Sequence, residues 1–168
     1  MPQSISARRL ILIAVVQFTV ATGAVTAQTS SGAAFTPVTD AMLQNPAPED
    51  WLMWRRTLDG WGYSPLNQVT RDNVADLRMV WTRALRRGSQ QGTPLAYDGV
   101  LYMPNPRDII QAIDATTGDL LWEHQREVPE NVGAGGLVTN NRNIAIYDTS
   151  IIDTSIDGHV FSLDANTG

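Results

Sequence analysis

The chain has 168 residues, 12 basic and 17 acidic side chains, a net charge of −5 and no cysteine. An acidic chain without a basic cluster is poorly suited to nucleic acid or to anionic membrane surfaces. The absence of cysteine excludes disulfides, thiolate metal sites, covalently attached c-type haem and a lipoprotein anchor within these residues. Every cation is an Arg, so lysine Schiff-base and lysine general-base chemistry are excluded as well.

Residues 1–27 read as a secretory signal peptide. Arg8-Arg9 form the positive n-region, and Leu10 to Val20 form an apolar stretch interrupted only by Gln17 and Thr19. Val25-Thr26-Ala27 then supplies small residues at a cleavage site before Gln28. The apolar stretch is short for a spanning helix of ~20 residues, which favours cleavage over an uncleaved anchor. The expected destination is a bacterial periplasm. Losing Arg8 and Arg9 leaves 10 basic against 17 acidic residues.

Residues 28–50 are rich in Ser, Thr, Ala and Pro and read as a flexible lead-in. Within it Met42 and Leu43 make at most a brief helical turn before Pro46 and Pro48. From Trp51 the composition changes, with four of the five tryptophans between Trp51 and Trp81. Arg71-Asp72-Asn73 precede a short helical turn at Val74 to Leu77. Arg78 to Leu85 alternates polar and apolar residues, as a half-buried strand does.

Arg86 to Gly92 is a polar loop. Thr93 to Tyr97 and Val100 to Met103 read as a hairpin around Asp98-Gly99. Pro104 to Arg107 turns, Asp108 to Ile113 returns, Asp114 to Gly118 turns, and Leu120 to His124 closes a four-stranded unit. Val128 to Asn143 is a long irregular connection. Ile144 to Tyr147, Ser150 to Thr154 and Val160 to Asp164 begin a second unit. His124 and His159 read as surface or turn residues, and no metal site is expected here.

The two units are copies. Ala112-Ile113-Asp114-Ala115-Thr116-Thr117-Gly118 aligns without a gap on Ser162-Leu163-Asp164-Ala165-Asn166-Thr167-Gly168, and Tyr97-Asp98 falls on Tyr147-Asp148. All-β units of this length that recur at a fixed spacing favour the blades of a propeller. A closed ring needs ~200–400 residues, so about two blades are expected here, with apolar faces and strand edges left open. The chain thus reads as cut mid-blade and marginally stable alone, its expected continuation being three residues and a Trp.

The repeat's ending, A-x-D-A-x-T-G-x-x-x-W at Ala112 to Trp122, resembles the tryptophan-docking motif of the bacterial quinoproteins. The opening Asp50-Trp51, then Tyr63-Ser64-Pro65-Leu66-Asn67-Gln68, then Asn73-Val74, Leu77 and Trp81, is similar to that of their periplasmic alcohol dehydrogenases. The resemblance covers residues 50–168. It implies an all-β fold, a partial eight-bladed β-propeller over residues 51–168, in which the docking Trp is architectural.

It also implies a site. Gln91, in Gln90-Gln91-Gly92-Thr93-Pro94, stands where the family carries a Glu that bonds the cofactor, pyrroloquinoline quinone (PQQ). Arg142, in Asn141-Arg142-Asn143-Ile144-Ala145-Ile146-Tyr147, stands where the family carries a cofactor-binding Arg. A neutral amide retains an acceptor and gains donors, and a guanidinium fork suits carboxylates and quinone oxygens. Gly136 and Leu137 occupy positions where many relatives carry adjacent cysteines, so that disulfide cannot form. The catalytic Asp and the ligands of Ca2+ come from later blades in the family.

The implied function is oxidation of an alcohol to an aldehyde or ketone, with electrons passed to a cytochrome c and no activity in these residues alone. Two alternatives stay open at this point. One is a quinone-free propeller acting as an assembly platform, and the other is a degraded gene.

Overall fold

In the computed structural model, residues 35–129, 132 and 142–168 are described, all within one compact unit spanning 34–168. The expected signal peptide, Gly136 and Leu137 lie outside the described residues.

Two antiparallel sheets form the fold. The first contains β1 (Leu95–Tyr97), β2 (Val100–Asn105), β3 (Ile109–Asp114) and β4 (Leu120–Gln125) in the order β1-β2-β3-β4. The second contains β5 (Ala145–Tyr147), β6 (Ser150–Thr154) and β7 (Val160–Asp164) in the order β5-β6-β7. Each is a meander, because every connection is a tight turn. At the β1–β2 turn Asp98 and Gly99 both take positive φ, 49° and 75°, the geometry that matches the twist of a two-residue hairpin. β1 stops at the Leu95↔Tyr102 pair, so Pro104 lies where β2 is bordered on one side only and Pro is tolerated.

Burial follows the sheet order. β3 is covered from Ile109 to Ile113, whereas Leu120 and Leu121 of the outer strand β4 remain exposed. The core gathers Leu95, Tyr102, Ile110 and Ala112 from the first sheet and Ile146, Ile151 and Leu163 from the second.

The two copies of the D-A-x-T-G turn are built alike. Asp114 accepts from the backbone N–H groups of Thr116 (2.7 Å) and Thr117 (2.9 Å), and Asp164 from those of Asn166 (3.0 Å) and Thr167 (2.8 Å). Each turn receives a tryptophan. The Trp122 indole N–H donates to the Ala165 carbonyl at 3.0 Å, and the Trp81 indole N–H donates to the Ala115 carbonyl at 3.0 Å. The rings lie over the closing glycines so closely that a Cβ on Gly118 would stand 2.7 Å from Trp81, and one on Gly168 2.8 Å from Trp122. The Tyr102 hydroxyl also donates to the Ala165 carbonyl, at 3.1 Å.

A polar latch joins the sheets at their opposite end. Arg126, just after β4, donates to Ser155 Oγ and to Asp157, both at 2.7 Å, and Ser155 Oγ donates to the buried Asp108. Burial opposes the charged form of Asp157, but hydrogen bonds from Arg126 and His159 help to outweigh it and hold its carboxyl well below the usual range.

Two expectations are corrected. Residues 35–50 do not behave as a free lead-in. Thr39 caps α1 (Asp40–Gln44) by accepting from the Met42 N–H, Val38 is 1% exposed, and it pairs with Asp148 through two 2.8 Å backbone bonds. Trp51 pairs in the same way with Ala96 on the free edge of β1. Conversely, Arg78 to Leu85 forms no strand, and Met79 and Val80 are 81% and 84% exposed. No described strand offers this segment a ladder, and it is held instead by Trp81 and by Arg83, which donates to the Gly118 carbonyl at 3.1 Å. The short turn before it does form, as a 3-10 helix at Val74–Asp76.

Candidate functional site

In a four-stranded meander the start of β1, the β2–β3 turn and the end of β4 share one end of the sheet. The residues leading into β5 and the β6–β7 turn occupy the same end of the second sheet. Gln91 and Arg142 both belong to this end, one before β1 and the other before β5.

The structure brings them together across 51 positions of sequence. The Arg142 Nε–H donates to Gln91 Oε1 at 3.1 Å, and the Thr93 N–H donates to the Arg142 carbonyl at 2.8 Å. Backbone and side chain thus tie the two loops at one point. The loop carrying Gln91 is seated by close approach. A Cβ on Gly92 would stand 2.6 Å from Pro104, and one on Gly88 2.7 Å from Pro106, so only glycine lets the loop lie on these rings.

Both side chains are exposed. Among the described residues, the two Nη nitrogens of Arg142 have no partner, while the Gln91 Nε2 donates to Ser89 Oγ at 3.3 Å. The pair therefore presents a planar, permanently charged donor fork whose Nε edge is already fixed by a neutral acceptor. That donor set fits a planar ligand carrying carboxylates and quinone oxygens, as PQQ does. Among the described residues no cluster of His, Cys, Asp and Glu could hold a metal ion.

Sequence reasoning missed the polar network behind this loop. Gln90 Nε2 donates to Asn105 Oδ1 (3.0 Å), Asn105 Nδ2 to Gln111 Oε1 (3.2 Å), and Gln111 Nε2 to Glu123 Oε2 (2.7 Å). Arg86 closes the circuit, donating from Nε to Glu123 Oε2 at 2.9 Å and from its backbone N–H to Asn105 Oδ1 at 3.4 Å. The hydrogen bond from Arg86 holds the Glu123 carboxyl below its usual range, with Gln111 helping and burial opposing. The signal was Gln111 itself, a polar residue within the apolar run Ile109-Ile110-Gln111-Ala112-Ile113. Trp81 was also missed as a docking residue, although its indole repeats the geometry of Trp122.

A cavity of about 430 Å³ lies at the other end of the first sheet, lined by Thr36, Asp50, Tyr97, Asp98 and Val100 among others. Burial pushes the Asp50 carboxyl up there. None of the site residues lines this cavity.

Residues 51–168 match the family model described as PQQ, glucose/ethanol/alcohol dehydrogenase, beta-propeller domain. The alcohol dehydrogenase (quinone), dehydrogenase subunit, of Gluconacetobacter polyoxogenes is 40% identical over 124 residues, which are 72% of this chain and 17% of that protein. The 1-butanol dehydrogenase (cytochrome c) of Thauera butanivorans is 35% identical over 111 residues, 65% of this chain and 16% of that protein. Among solved structures, the quinohemoprotein alcohol dehydrogenase ADHIIG of Pseudomonas putida HK5 superposes with a TM-score of 0.69 at 32% identity, covering 80% of this chain and 21% of that one. The chain thus spans about a sixth to a fifth of the length of these relatives.

Proposed function

Since the chain belongs to the family of PQQ-type glucose/ethanol/alcohol dehydrogenase β-propeller domains, we propose that it is the N-terminal part of a periplasmic PQQ-dependent alcohol dehydrogenase. The observation that carries this reading is the hydrogen bond from Arg142 Nε to Gln91 Oε1, which joins the two loops where cofactor contacts were expected. In this reading Arg142 binds an acidic or quinone oxygen of PQQ through its Nη donors. Gln91 fixes the guanidinium plane and so limits the entropy lost on binding.

The chemistry that PQQ supplies when bound is the two-electron oxidation of an alcohol to an aldehyde or ketone. Arg142 and Gln91 orient the ligand and supply fixed dipoles, and neither moves a proton. The general base, the calcium ligands and the docking site for a cytochrome c acceptor belong to residues that follow these two blades. The similarity to the 1-butanol dehydrogenase (cytochrome c) of Thauera butanivorans supports this choice of acceptor.

Two measurements test the reading. A complete protein carrying this sequence, given PQQ, calcium, a primary alcohol and a dye acceptor, should reduce the dye only when PQQ is added. The 168-residue chain under the same conditions should show no turnover, and turnover by it would sink the assignment of catalysis to later blades. N-terminal sequencing of the exported protein should begin at Gln28, whereas a retained leader would contradict the periplasmic release proposed here.

A further inference from the structure

The network behind the site loop has a direction. At one end the Arg86 backbone N–H can only donate, and it donates to Asn105 Oδ1. At the other end the ionised Glu123 carboxylate can only accept, and it accepts from Gln111 Nε2. Each end independently fixes the orientation of its neighbouring amide, and the two ends agree. Asn105 Nδ2 must then face Gln111 Oε1, and Asn105 Oδ1 is left to receive Gln90 Nε2. Asn105 and Gln111 are 1% and 3% exposed, so water cannot substitute for a misdirected amide.

The circuit crosses the blade from β4 through β3 and β2 to the loop before β1. Gln90, which ends it, is the neighbour of Gln91. We propose that Glu123 is a positioning residue, acting through Gln111 and Asn105 to set the Gln90–Gln91 loop and thereby to aim Arg142. Its role in ligand binding rests on the cofactor reading above, whereas its effect on the loop does not. Removing the carboxylate removes the only group in the circuit that compels this direction from the β4 side.

The charged groups facing Glu123 are Arg86 and Arg83 from the segment before β1, and the neutral Gln111 amide faces it from β3. On β4 itself, neighbouring His124 lies against Phe161 of the second sheet, ring centroids 6.2 Å apart. Arg86 and Arg83 both favour the charged carboxylate, so the circuit is intact above the ordinary glutamate range and is lost as pH falls through the depressed value.

The test is hydrogen exchange of the Arg86 and Thr93 backbone amides, which donate to Asn105 Oδ1 and to the Arg142 carbonyl, with those of β6 as an internal control. In Glu123→Gln at pH 7 the loop amides should exchange about tenfold faster, the cost of one hydrogen bond to a charged group, while β6 is unchanged. Wild type should reach the same fast exchange, corrected for intrinsic rate, as pH falls through the Glu123 titration, and Glu123→Gln should show no such step. Acceleration confined to β3 and β4, or a pH step that persists in Glu123→Gln, overturns the proposal. If Glu123→Gln also loses β6 protection, the wild-type pH series decides, because the loop must lose more protection than β6, which shares only the general destabilisation by acid. In the complete protein, PQQ affinity should fall several-fold in Glu123→Gln. If PQQ binds Arg142→Ala as tightly as wild type, the cofactor reading fails while the exchange result still decides the relay.

Discussion

Gly118 and Gly168 show how a single atom governs the joints of this fold. Each takes a φ of +77°, and each lies under a tryptophan ring with no room for a methyl group. Gly118→Ala combines a left-handed backbone with a clash against Trp81 and should cost about 2–3 kcal/mol in urea denaturation. Gly99→Ala, at φ +75° but with nothing within 4 Å of its Cβ, should cost only about 1 kcal/mol. Equal losses at the two sites would show that the ring contact contributes nothing. Asp114 and Asp164 act at the same turns. For Asp114 the backbone N–H groups of Thr117 and Thr116 hold the carboxyl below its ordinary 3.8, and for Asp164 Thr167 is the main cause. A depressed folded-state pKa gives stability that is present above the ordinary value and lost as pH falls through the depressed one. Denaturation midpoints should therefore drop on acidification below pH 4, and Asp164→Asn should flatten that limb.

At the scale of elements, a tryptophan fastens each D-A-x-T-G turn, Trp122 from β4 at one and Trp81 from the strandless segment 78–85 at the other. Trp122→Phe keeps most of the ring contact and removes the donor to Ala165, for a loss of about 1 kcal/mol, whereas Trp122→Ala should cost about 3–4 kcal/mol. Trp81→Ala should act locally, because among the described residues Trp81 and Arg83 are what tie the segment 78–85 to the sheet. Trypsin is expected to cut after Arg78 and Arg83 in that variant at concentrations that spare wild type, with β6 unaffected. The strands of both sheets were legible because their turns carry strong local chemistry, as at Asp98-Gly99 and at the D-A-x-T-G repeats. Arg78 to Leu85 misled for a physical reason. Its alternation records a strand's side chains, but a strand also needs a ladder, and no described residue provides one. The docking of Val38 and the capping of α1 were illegible because a Ser, Thr and Pro composition does not reveal backbone pairing with Asp148. The Gln91–Arg142 contact was legible only through resemblance. Its supporting circuit joins side chains from three strands and a loop, a convergence that no local pattern announces.

Across the whole molecule, one four-stranded sheet and one three-stranded sheet repeat a single blade plan, with the site loops gathered at one end and the docked tryptophans at the other. Among the described residues β7 is bordered only by β6, and the segment around Trp81 docks on the turn of the first sheet as Trp122 of β4 docks on that of the second. The blades are thus held in series by one repeated joint, which fixes the spacing of the loops that carry Gln91 and Arg142. On the function proposed above, this spacing serves PQQ. The most direct test is an equilibrium PQQ titration of the complete protein in wild type, Arg142→Ala and Arg71→Ala, the last an exposed guanidinium in the turn before the 3-10 helix. Arg142→Ala should weaken binding at least about tenfold, the loss of a charge-assisted hydrogen bond, and Arg71→Ala should leave it unchanged. Equal affinity in wild type and Arg142→Ala would contradict the account.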